Sequence, residues 1–335
     1  MRIPAPPRAV RWLLALAYPF VGAVVTLLSI VVLPLGLLLW PIDRRLRTTR
    51  VMLMLLVVMW EDIGIVVGCW WLWLRALVLG RERWVEDHEA LVIAALDHVM
   101  TWAGRVVGFH VEIDGDLDWG DEGEPLVVLS RHAGPADSLA LAWLLMTRAR
   151  RVPRIVLADA MLWDPGAAIV LRRLSSYFVP SSSGAGDDRS RGVAELATSL
   201  GPRDAMLIFP EGKNWTPRRQ VELVAVLRAK GETERADEAA GWPYLLPPRP
   251  KGVVTILTSV SHCDVMVVGH TGLEMLASPR AVWRAIPFSS RLLVRARTWE
   301  RCDIPADGPG IERWLDDRWS GINAWVGTHM RSGRR

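Results

Sequence analysis

The first part of the chain consists of long apolar runs. The 28 residues from Leu13 to Trp40 carry no charged side chain. A helix needs about 20 apolar residues to cross a bilayer core, whereas the apolar part of a signal peptide has only about 7–15. The pattern therefore predicts an uncleaved membrane anchor. Pro19, Gly22, Pro34 and Gly36 are expected to kink this run or to divide it into shorter in-plane helices.

A second apolar run extends from Val51 to Leu74, with Glu61 and Asp62 near its middle. Because acids at the centre of a bilayer are costly, we do not expect a simple lipid-surrounded span here. Arginines flank every apolar run, so positive charge does not indicate a two-span hairpin. Two interpretations stay open: a re-entrant or in-plane helical pair, or at least one true span. A further helix is predicted from Glu86 to Gly108.

From residue 110 onwards, short β-rich segments alternate with helical ones, which favours an α/β sheet flanked by helices. The predicted strands are Val111–Ile113, Leu126–Leu129, Arg154–Leu157, Tyr177–Val179, Ala205–Phe209, Asp264–Gly269 and Leu292–Arg297. The predicted helices are Ala136–Arg148, Gly166–Leu174, Arg189–Leu200, Arg218–Ala239 and Gly310–Val326. By composition, Ser181–Asp188 is a flexible loop and Pro243–Pro250 a rigid connection. We therefore predict membrane anchor helices in residues 1–84 and an α/β domain in residues 85–335.

Composition narrows the possible partners. The net charge is +4, and 51% of the residues are hydrophobic. Mild basicity beside an apolar anchor favours anionic lipid surfaces or phosphorylated substrates. No basic stripe with interleaved aromatic residues indicates nucleic-acid binding. The three cysteines, Cys69, Cys263 and Cys302, are far apart. They indicate neither a zinc site nor a disulfide framework, which fits a reducing, cytoplasm-facing catalytic domain at the cell membrane.

His132 and Asp137 form a candidate catalytic pair. His132 follows a predicted strand, Pro135 fits the first turn of the next helix, and Asp137 lies just inside it. Five positions on one helix would separate the side chains by about 140°, so His132 must lie before the helix and reach back to Asp137. A neutral imidazole can take a hydroxyl proton, and a carboxylate beside it fixes the tautomer. The alternative is an ordinary histidine at a strand end.

The run Phe209-Pro210-Glu211-Gly212 ends another predicted strand, where ligands bind in open α/β sheets. Glu211 could accept a hydrogen bond from an acceptor hydroxyl. Gly212 would let backbone N–H groups approach a ligand or a developing oxyanion. The alternative is a generic turn in which glycine supplies a positive φ.

Taken together and in order, these motifs resemble those of the glycerolipid acyltransferase family of 1-acylglycerol-3-phosphate acyltransferases. His132 and Asp137 match its H-x4-D motif, and the similarity extends over residues 110–330. The further matching segments are Leu162–Gly166 through Phe178–Val179, Phe209–Gly212 with Thr216, and Leu245–Gly252. The last of these, with Asp303–Pro305 and Trp314–Trp319, is most similar to the long-chain and lysocardiolipin subgroup.

The resemblance implies a mixed sheet flanked by helices and a membrane-bound O-acyltransferase of phospholipid biosynthesis. His132 would deprotonate the acceptor hydroxyl, Asp137 would orient His132, and Glu211 and Gly212 would hold the acceptor. The acyl donor would be acyl-CoA or an acyl carrier protein, with membrane lipids as further partners. No cofactor, metal or covalent intermediate is implied. The most direct reaction converts 1-acylglycerol-3-phosphate to phosphatidic acid.

The chain departs from the family pattern at three places. Arg131 replaces the usual asparagine before the histidine, Lys213-Asn214 replaces Thr-Arg, and Pro180–Ser183 lies where the family has a base for the acceptor phosphate. Basic residues elsewhere could take over that contact, because guanidinium suits bidentate phosphate binding. The candidates for substrate binding, besides Glu211 and Gly212, are Lys213, Arg249, Lys251, Arg189 and Arg191. Surface charge is the alternative interpretation of each.

Three further functions stay open on the sequence. The acceptor could be another lysolipid or a glycolipid. The chain could be a non-catalytic membrane scaffold with the same fold, which would explain the altered motif Glu211-Gly212-Lys213-Asn214 and the missing base. It could also be a thioester hydrolase in which His132 activates water.

Overall fold

The computed structural model describes residues 5–38, 40–133, 136–174, 176–179, 186–274, 276 and 278–332. The chain divides into two compact units. The first comprises Met1–His110, Ala142–Arg189 and Trp283–Ser289, and the second comprises Val111–Leu141, Ser190–Val282 and Ser290–Arg335. Since both units are discontinuous in sequence, the functional division into residues 1–84 and 85–335 stays a prediction.

Three long helices open the first unit: α1 (Arg8–Leu38), α2 (Arg47–Leu79) and α3 (Trp84–Trp102). A π-helical turn, Ala103–Val107, continues α3. By length and composition, α1, α2 and the segment Trp84–Val107 are each able to cross a membrane. Helix α1 runs through both of its prolines as one helix, so they do not divide it.

Helices α1 and α2 pack closely through small and polar residues. Gly22 of α1 lies so near Ile63 of α2 that any side chain at Gly22 would displace it. The indole N–H of Trp60 donates a hydrogen bond to the hydroxyl of Thr26 at 2.8 Å. The outward faces of both helices expose large apolar side chains, as surfaces that contact lipid do.

The two acids in the middle of α2 contact protein. Asp62 is buried and accepts a hydrogen bond at 3.4 Å from the N–H of Gly166, at the start of α5 (Pro165–Arg173). A side chain at Gly166 would overlap this carboxylate. Glu61 pairs with His98 of α3. Both acids therefore have polar partners, in agreement with the expectation that α2 is not a simple lipid-surrounded span.

The first unit also contains β3 (Val152–Ala158) and β4 (Tyr177–Val179), which pair in parallel. Helix α4 (Asp137–Thr147) begins in the second unit and continues into the first. One apolar cluster of the first unit contains Val92, Met146, Val152, Val170 and Leu174.

A mixed sheet forms the centre of the second unit, as predicted. Its strands are β1 (Val111–Ile113), β2 (Leu126–Ser130), β5 (Asp204–Ile208), β6 (Asp264–Thr271) and β7 (Leu292–Glu300), in the order β1-β7-β6-β2-β5. Strands β6 and β7 are antiparallel, and the other neighbours are parallel. Every residue of β2 and β6 is buried, which explains the apolar runs Leu126–Leu129 and Val265–Val268.

The remaining helices are α6 (Gly186–Thr198), α7 (Pro217–Ala229), α8 (Thr233–Gly241), α9 (Pro250–Ser259), α10 (Pro279–Ala285) and α11 (Gly308–Ser332). The single helix predicted over Arg218–Ala239 is wrong, because Gly231 follows α7 in the left-handed conformation that ends helices. The predicted rigid connection ends in α9, where Pro250 occupies the first turn. Of the predicted loop Ser181–Asp188, residues 181–185 lie outside the described residues, and residues 186–188 are not a loop but the first residues of α6.

The parallel strands bring the candidate residues to one edge of the sheet. Strands β2, β5 and β6 share a direction, so their carboxyl ends lie together. His132 follows β2, Phe209 follows β5, and His270 lies near the end of β6. Three segments far apart in sequence therefore supply one site.

We expect Asp62→Leu to lower the free energy of unfolding by about 1–3 kcal/mol, because the buried N–H of Gly166 loses its acceptor. Thermal unfolding of the detergent-solubilised protein measures the change. Glu82→Leu, which removes an exposed acid from the turn between α2 and α3, is the control and should have little effect. Equal melting temperatures for Asp62→Leu and wild type would show that this contact does not hold α5 on α2.

Candidate active site

The side chains of His132 and Asp137 form a hydrogen bond. The Nδ1 atom of His132 lies 2.9 Å from Oδ2 of Asp137. His132 precedes α4 and Asp137 is its first residue, which is the loop–helix corner that the spacing requires. Pro135 lies outside the described residues. The geometric prediction is therefore confirmed, while the catalytic role of the pair stays a prediction.

Backbone groups fix the carboxylate of Asp137. Its Oδ2 atom also accepts a hydrogen bond from the N–H of Ala133 at 2.9 Å, and its Oδ1 atom accepts one from the N–H of Ser138 at 2.7 Å. The side chain of Asp137 is only 2% exposed, whereas that of His132 is 28% exposed. The carboxylate is thus held inside the protein, and the imidazole can meet a substrate.

The imidazole of His132 has one nitrogen available for chemistry. Because the Asp137 carboxylate accepts at Nδ1, the hydrogen-bond network assigns the proton to Nδ1 and leaves Nε2 as an acceptor. No hydrogen bond occupies Nε2 within the part of the chain that the structure describes. The ring of Phe209 packs against the imidazole, with 4.4 Å between ring centroids, and restricts its rotation.

Glu211 lies beneath the loop that carries His132. Its carboxylate accepts hydrogen bonds from the N–H of His132 and from the N–H of Leu246, both at 3.2 Å. The residue is 2% exposed. Burial raises the pKa of Glu211 from its ordinary value of 4.5 to about 8, although Arg131 and the two N–H groups oppose this shift. These contacts position His132, and the predicted contact between Glu211 and an acceptor stays a prediction.

The main chain of His132 is held at both of its polar groups. Besides the contact from its N–H to Glu211, its carbonyl accepts a hydrogen bond from the N–H of Trp215 at 2.6 Å. Trp215 belongs to a small buried cluster with Ala133 and Leu246. The segment after β5 thus fixes the residue that follows β2.

Arg131 is fully buried directly before the histidine. Its guanidinium forms a salt bridge with Glu274 at 2.6 Å and donates hydrogen bonds to the carbonyls of Tyr244, at 2.7 Å, and His270. Burial opposes ionisation of Glu274, but the charge of Arg131 together with hydrogen bonds from Thr271 and Arg131 outweighs it and lowers the pKa of that carboxyl. This arginine therefore joins the end of β2 to the segment after β6.

His270 lies next to the His132–Asp137 pair, on the side of Asp137. Its Nε2 atom lies 2.8 Å from the carbonyl oxygen of Arg131 and 3.6 Å from Oδ2 of Asp137. Burial, followed by the charge of Arg131, lowers the pKa of His270, so the ring stays neutral and donates to the carbonyl. Arg131, His270 and Glu274 are not among the residues that the sequence predicts for the site. The available signal was a polar residue at or next to the carboxyl end of a mainly apolar strand, as for Arg131 and His270.

Four of the predicted acceptor-binding residues lie in the segment after β5 or at the start of α9. Gly212 has a φ of 66° and its N–H donates to the carbonyl of Phe209, so it closes the turn after β5. The side chain of Arg249 crosses this glycine, since a Cβ there would lie 3.4 Å from the Arg249 Nη1 atom. Lys213 and Lys251 are exposed, the latter in the first turn of α9. Arg249 is therefore brought next to the Glu211 segment.

The other two arginines lie on α6. Arg191 is exposed, whereas the side chain of Arg189 lies outside the described residues. Both assignments stay predictions. A further arginine in this part of the chain, Arg218 of α7, forms a salt bridge with Glu222 at 2.6 Å.

The arrangement suits general base catalysis on a hydroxyl. A neutral imidazole, oriented by a buried carboxylate and open at Nε2, can accept a proton and return it. Within the described residues, no group of three or more histidine, cysteine or acidic side chains has metal-binding geometry.

A family model described as Acyltransferase matches residues 111–270. This segment contains the His132–Asp137 pair and the Glu211 segment. Residues 111–270, just under half of the chain, are therefore similar to this family. A comparison with curated protein sequences gives no significant match.

Comparison with solved structures finds the same fold. The crystal structure of the 1-acyl-sn-glycerophosphate (LPA) acyltransferase PlsC from Thermotoga maritima superposes with a TM-score of 0.51 at 13% identity. The superposition covers 82% of this chain and 97% of that chain. At this identity the likeness establishes the fold, a mixed α/β sheet with apolar N-terminal helices.

We expect Glu211→Gln to change the pH dependence of stability. Between the ordinary carboxyl pKa and 8, the unfolded chain ionises at Glu211 while the folded protein keeps its proton, so wild type loses stability as pH rises. Glutamine does not titrate, so the stability of the variant relative to wild type should rise from pH 5 to pH 8. The rise should be at most about 1.4 kcal/mol per pH unit.

Unfolding midpoints of the two proteins across this pH range measure the effect. Glu222→Gln, on the exposed surface of α7, is the matched control and should leave the pH profile unchanged. A difference between Glu211→Gln and wild type that is constant with pH would refute the raised pKa.

Proposed function

We propose that the protein is a membrane-bound O-acyltransferase that moves a fatty acyl group from a thioester to the hydroxyl of a lysophospholipid. The observation that carries this proposal is the open Nε2 atom of His132, on an imidazole that Asp137 holds at 2.9 Å inside the segment that is similar to the acyltransferase family. The most direct reaction is the conversion of 1-acylglycerol-3-phosphate to phosphatidic acid, and the structural similarity to the LPA acyltransferase of T. maritima supports it.

In the first step, Nε2 of His132 accepts the proton of the acceptor hydroxyl as the oxygen attacks the thioester carbonyl. The imidazolium that forms is stabilised by Asp137. When the carbon–sulfur bond breaks, the leaving thiolate takes the proton from the imidazolium and departs as a free thiol. His132 is neutral again, and no acyl group becomes attached to the protein. The donor is acyl-CoA or an acyl carrier protein, and no cofactor takes part.

The acceptor phosphate has a candidate partner in Arg249. Its guanidinium lies over Gly212, one residue from the glutamate that holds His132. Lys213 and Lys251 are exposed and could add charge to the same region. An arginine can bind a phosphate group through two parallel hydrogen bonds. Arg249 could therefore make the phosphate contact that Asn214, which replaces the family's arginine, cannot make.

The three apolar helices provide the membrane attachment. We propose that they hold the protein at the cell membrane with the catalytic unit on the cytoplasmic side, where acyl thioesters are available. That the chain belongs with the long-chain and lysocardiolipin acyltransferases is part of the same proposal. Another lysolipid or a glycolipid is an alternative acceptor.

We expect His132→Ala to lower the rate of acyl transfer about 10²–10⁴-fold, because the reaction loses its general base. Purified protein is assayed with labelled acyl-CoA and lysophosphatidate, and the lipid product and free fatty acid are measured separately. His262→Ala, an exposed histidine before β6, is the control and should retain full activity. Undiminished transfer by His132→Ala would refute the proposed base. Release of fatty acid without acylated lipid would identify a hydrolase, and inactive wild type with every donor and acceptor would favour the scaffold.

We expect Arg249→Ala to raise KM for a phosphate-bearing acceptor about tenfold or more with little change in kcat, because a charge-assisted contact is lost from binding. KM for a neutral acceptor, such as a monoacylglycerol, should stay the same. Arg228→Ala, an exposed arginine paired with Asp237 on α8, is the control. Equal losses for charged and neutral acceptors would contradict a phosphate contact at Arg249.

A further inference from the structure

A cleft of about 400 Å³ lies in the second unit, between β6–β7 and α11. Alternate residues of β7, Arg295, Arg297 and Trp299, form one side of the cleft. Arg318 and Trp325 of α11 belong to the opposite side. Neither the proposed base nor the proposed acceptor contact uses these residues.

The cleft is positively charged. Arg295 and Arg297 are exposed, and no salt bridge joins either of them to a carboxylate in the described parts of the chain. Arg318 has a buried Nε atom without a hydrogen-bond partner among the described residues. Among the described residues that line the cleft, Asp317 is the one acid beside these three arginines. The cleft therefore favours an anionic ligand.

Aromatic contacts hold two of the guanidinium groups. The carbon centres of the Arg297 and Arg318 guanidinium groups lie 5.1 and 5.3 Å from the centre of the Trp299 ring. Trp325 is fixed by a hydrogen bond of 2.8 Å from its indole N–H to Asp114. Planar groups held in this way can bind phosphate and stack on a base without losing much side-chain entropy.

The cleft wall also leaves space. A Cβ at Gly321 of α11 would meet no atom within 4 Å, so the wall is open at this position. A volume of about 400 Å³ is in the range of small-molecule sites, about 300–1,000 Å³. Among the described residues, none of the large exposed apolar side chains lines the cleft, so it has no apolar group to insert into a bilayer. The shape and chemistry therefore favour a nucleotide over a membrane.

We propose that this cleft binds the phosphate-bearing nucleotide portion of an acyl-CoA donor. The inference rests on the proposed function and specifies which thioester the enzyme uses. Its position fits, because α11 lines the cleft with Arg318 and Trp325 and also packs Met330 against the cluster of Ala133, Trp215 and Leu246 at the candidate active site. The pantetheine arm of a bound donor would pass over the carboxyl end of β6 towards His132.

Binding of tritiated coenzyme A to the purified full chain, measured by equilibrium dialysis, tests the site without catalysis. We expect the double variant Arg295→Glu/Arg297→Glu to weaken binding about ten- to hundredfold, because charge-assisted contacts become repulsive. Gly321→Phe should weaken it by filling the cleft. Arg313→Glu, an exposed change on the same helix outside the cleft lining, is the control and should bind as wild type does. Wild-type affinity in both cleft variants would overturn the inference.

Steady-state kinetics separate this inference from the proposed function. The double variant should raise KM for acyl-CoA and leave KM for the acceptor unchanged, whereas His132→Ala should abolish transfer and still bind coenzyme A. Loss of transfer in His132→Ala with unchanged KM for acyl-CoA in the double variant would retain the function and reject the cleft. Inactive wild type whose coenzyme A binding depends on Arg295 and Arg297 would reject the function and retain the cleft.

Two other ligands would also overturn the proposal. If the double variant lost binding to phosphatidylglycerol vesicles but kept its affinity for coenzyme A, the arginines would serve a lipid headgroup. If KM rose only for an acyl carrier protein, and wild type did not bind coenzyme A, they would serve a protein donor.

Discussion

The buried guanidinium of Arg131 is the contact on which the candidate active site depends. Asp137, Glu211 and Glu274 place three carboxyl groups in the interior around one histidine loop. Burying so much acid is costly without a cation, and Arg131 is the cation that contacts Glu274 directly and opposes the rise in the pKa of Glu211. Because the same guanidinium also binds two main-chain carbonyls, charge compensation and the geometry of the loop have a common origin.

The sequence predicted the central strands β2 and β6 well because their residues are buried on both faces. Their apolar runs, Leu126–Leu129 and Val265–Val268, leave little freedom in the assignment, and the short strands β1 and β4 also have the predicted bounds. The His132–Asp137 corner was also predictable, since only one arrangement allows that spacing to work. The partners of Arg131 were not, because Glu274 is 143 residues away and no local pattern relates them. The division between α7 and α8 depends on one left-handed glycine, which composition alone does not distinguish from a tolerated one.

Buried charged groups also need polar partners in the N-terminal helices. Two adjacent acids in an apolar run are difficult to reconcile with lipid on all sides. The structure gives each acid a partner in the first unit, Gly166 for Asp62 and His98 for Glu61. Helix α2 is thus a helix with one polar stretch facing protein and an apolar outer surface. Hydropathy identifies the outer surface, but the polar partners come from α3 and α5 and become visible only after folding.

The proposed base and the proposed specificity residues differ in how firmly the fold holds them. The N–H and carbonyl of His132 are both anchored, and Phe209 covers its ring. Lys213, Arg249 and Lys251 are instead exposed on the segments after β5 and at the start of α9. Substitutions at these three positions should change the free energy of unfolding little, whereas substitutions beneath His132 should disturb the core. During divergence such a scaffold can change its acceptor by a few surface substitutions while the proton-transfer apparatus is inherited intact.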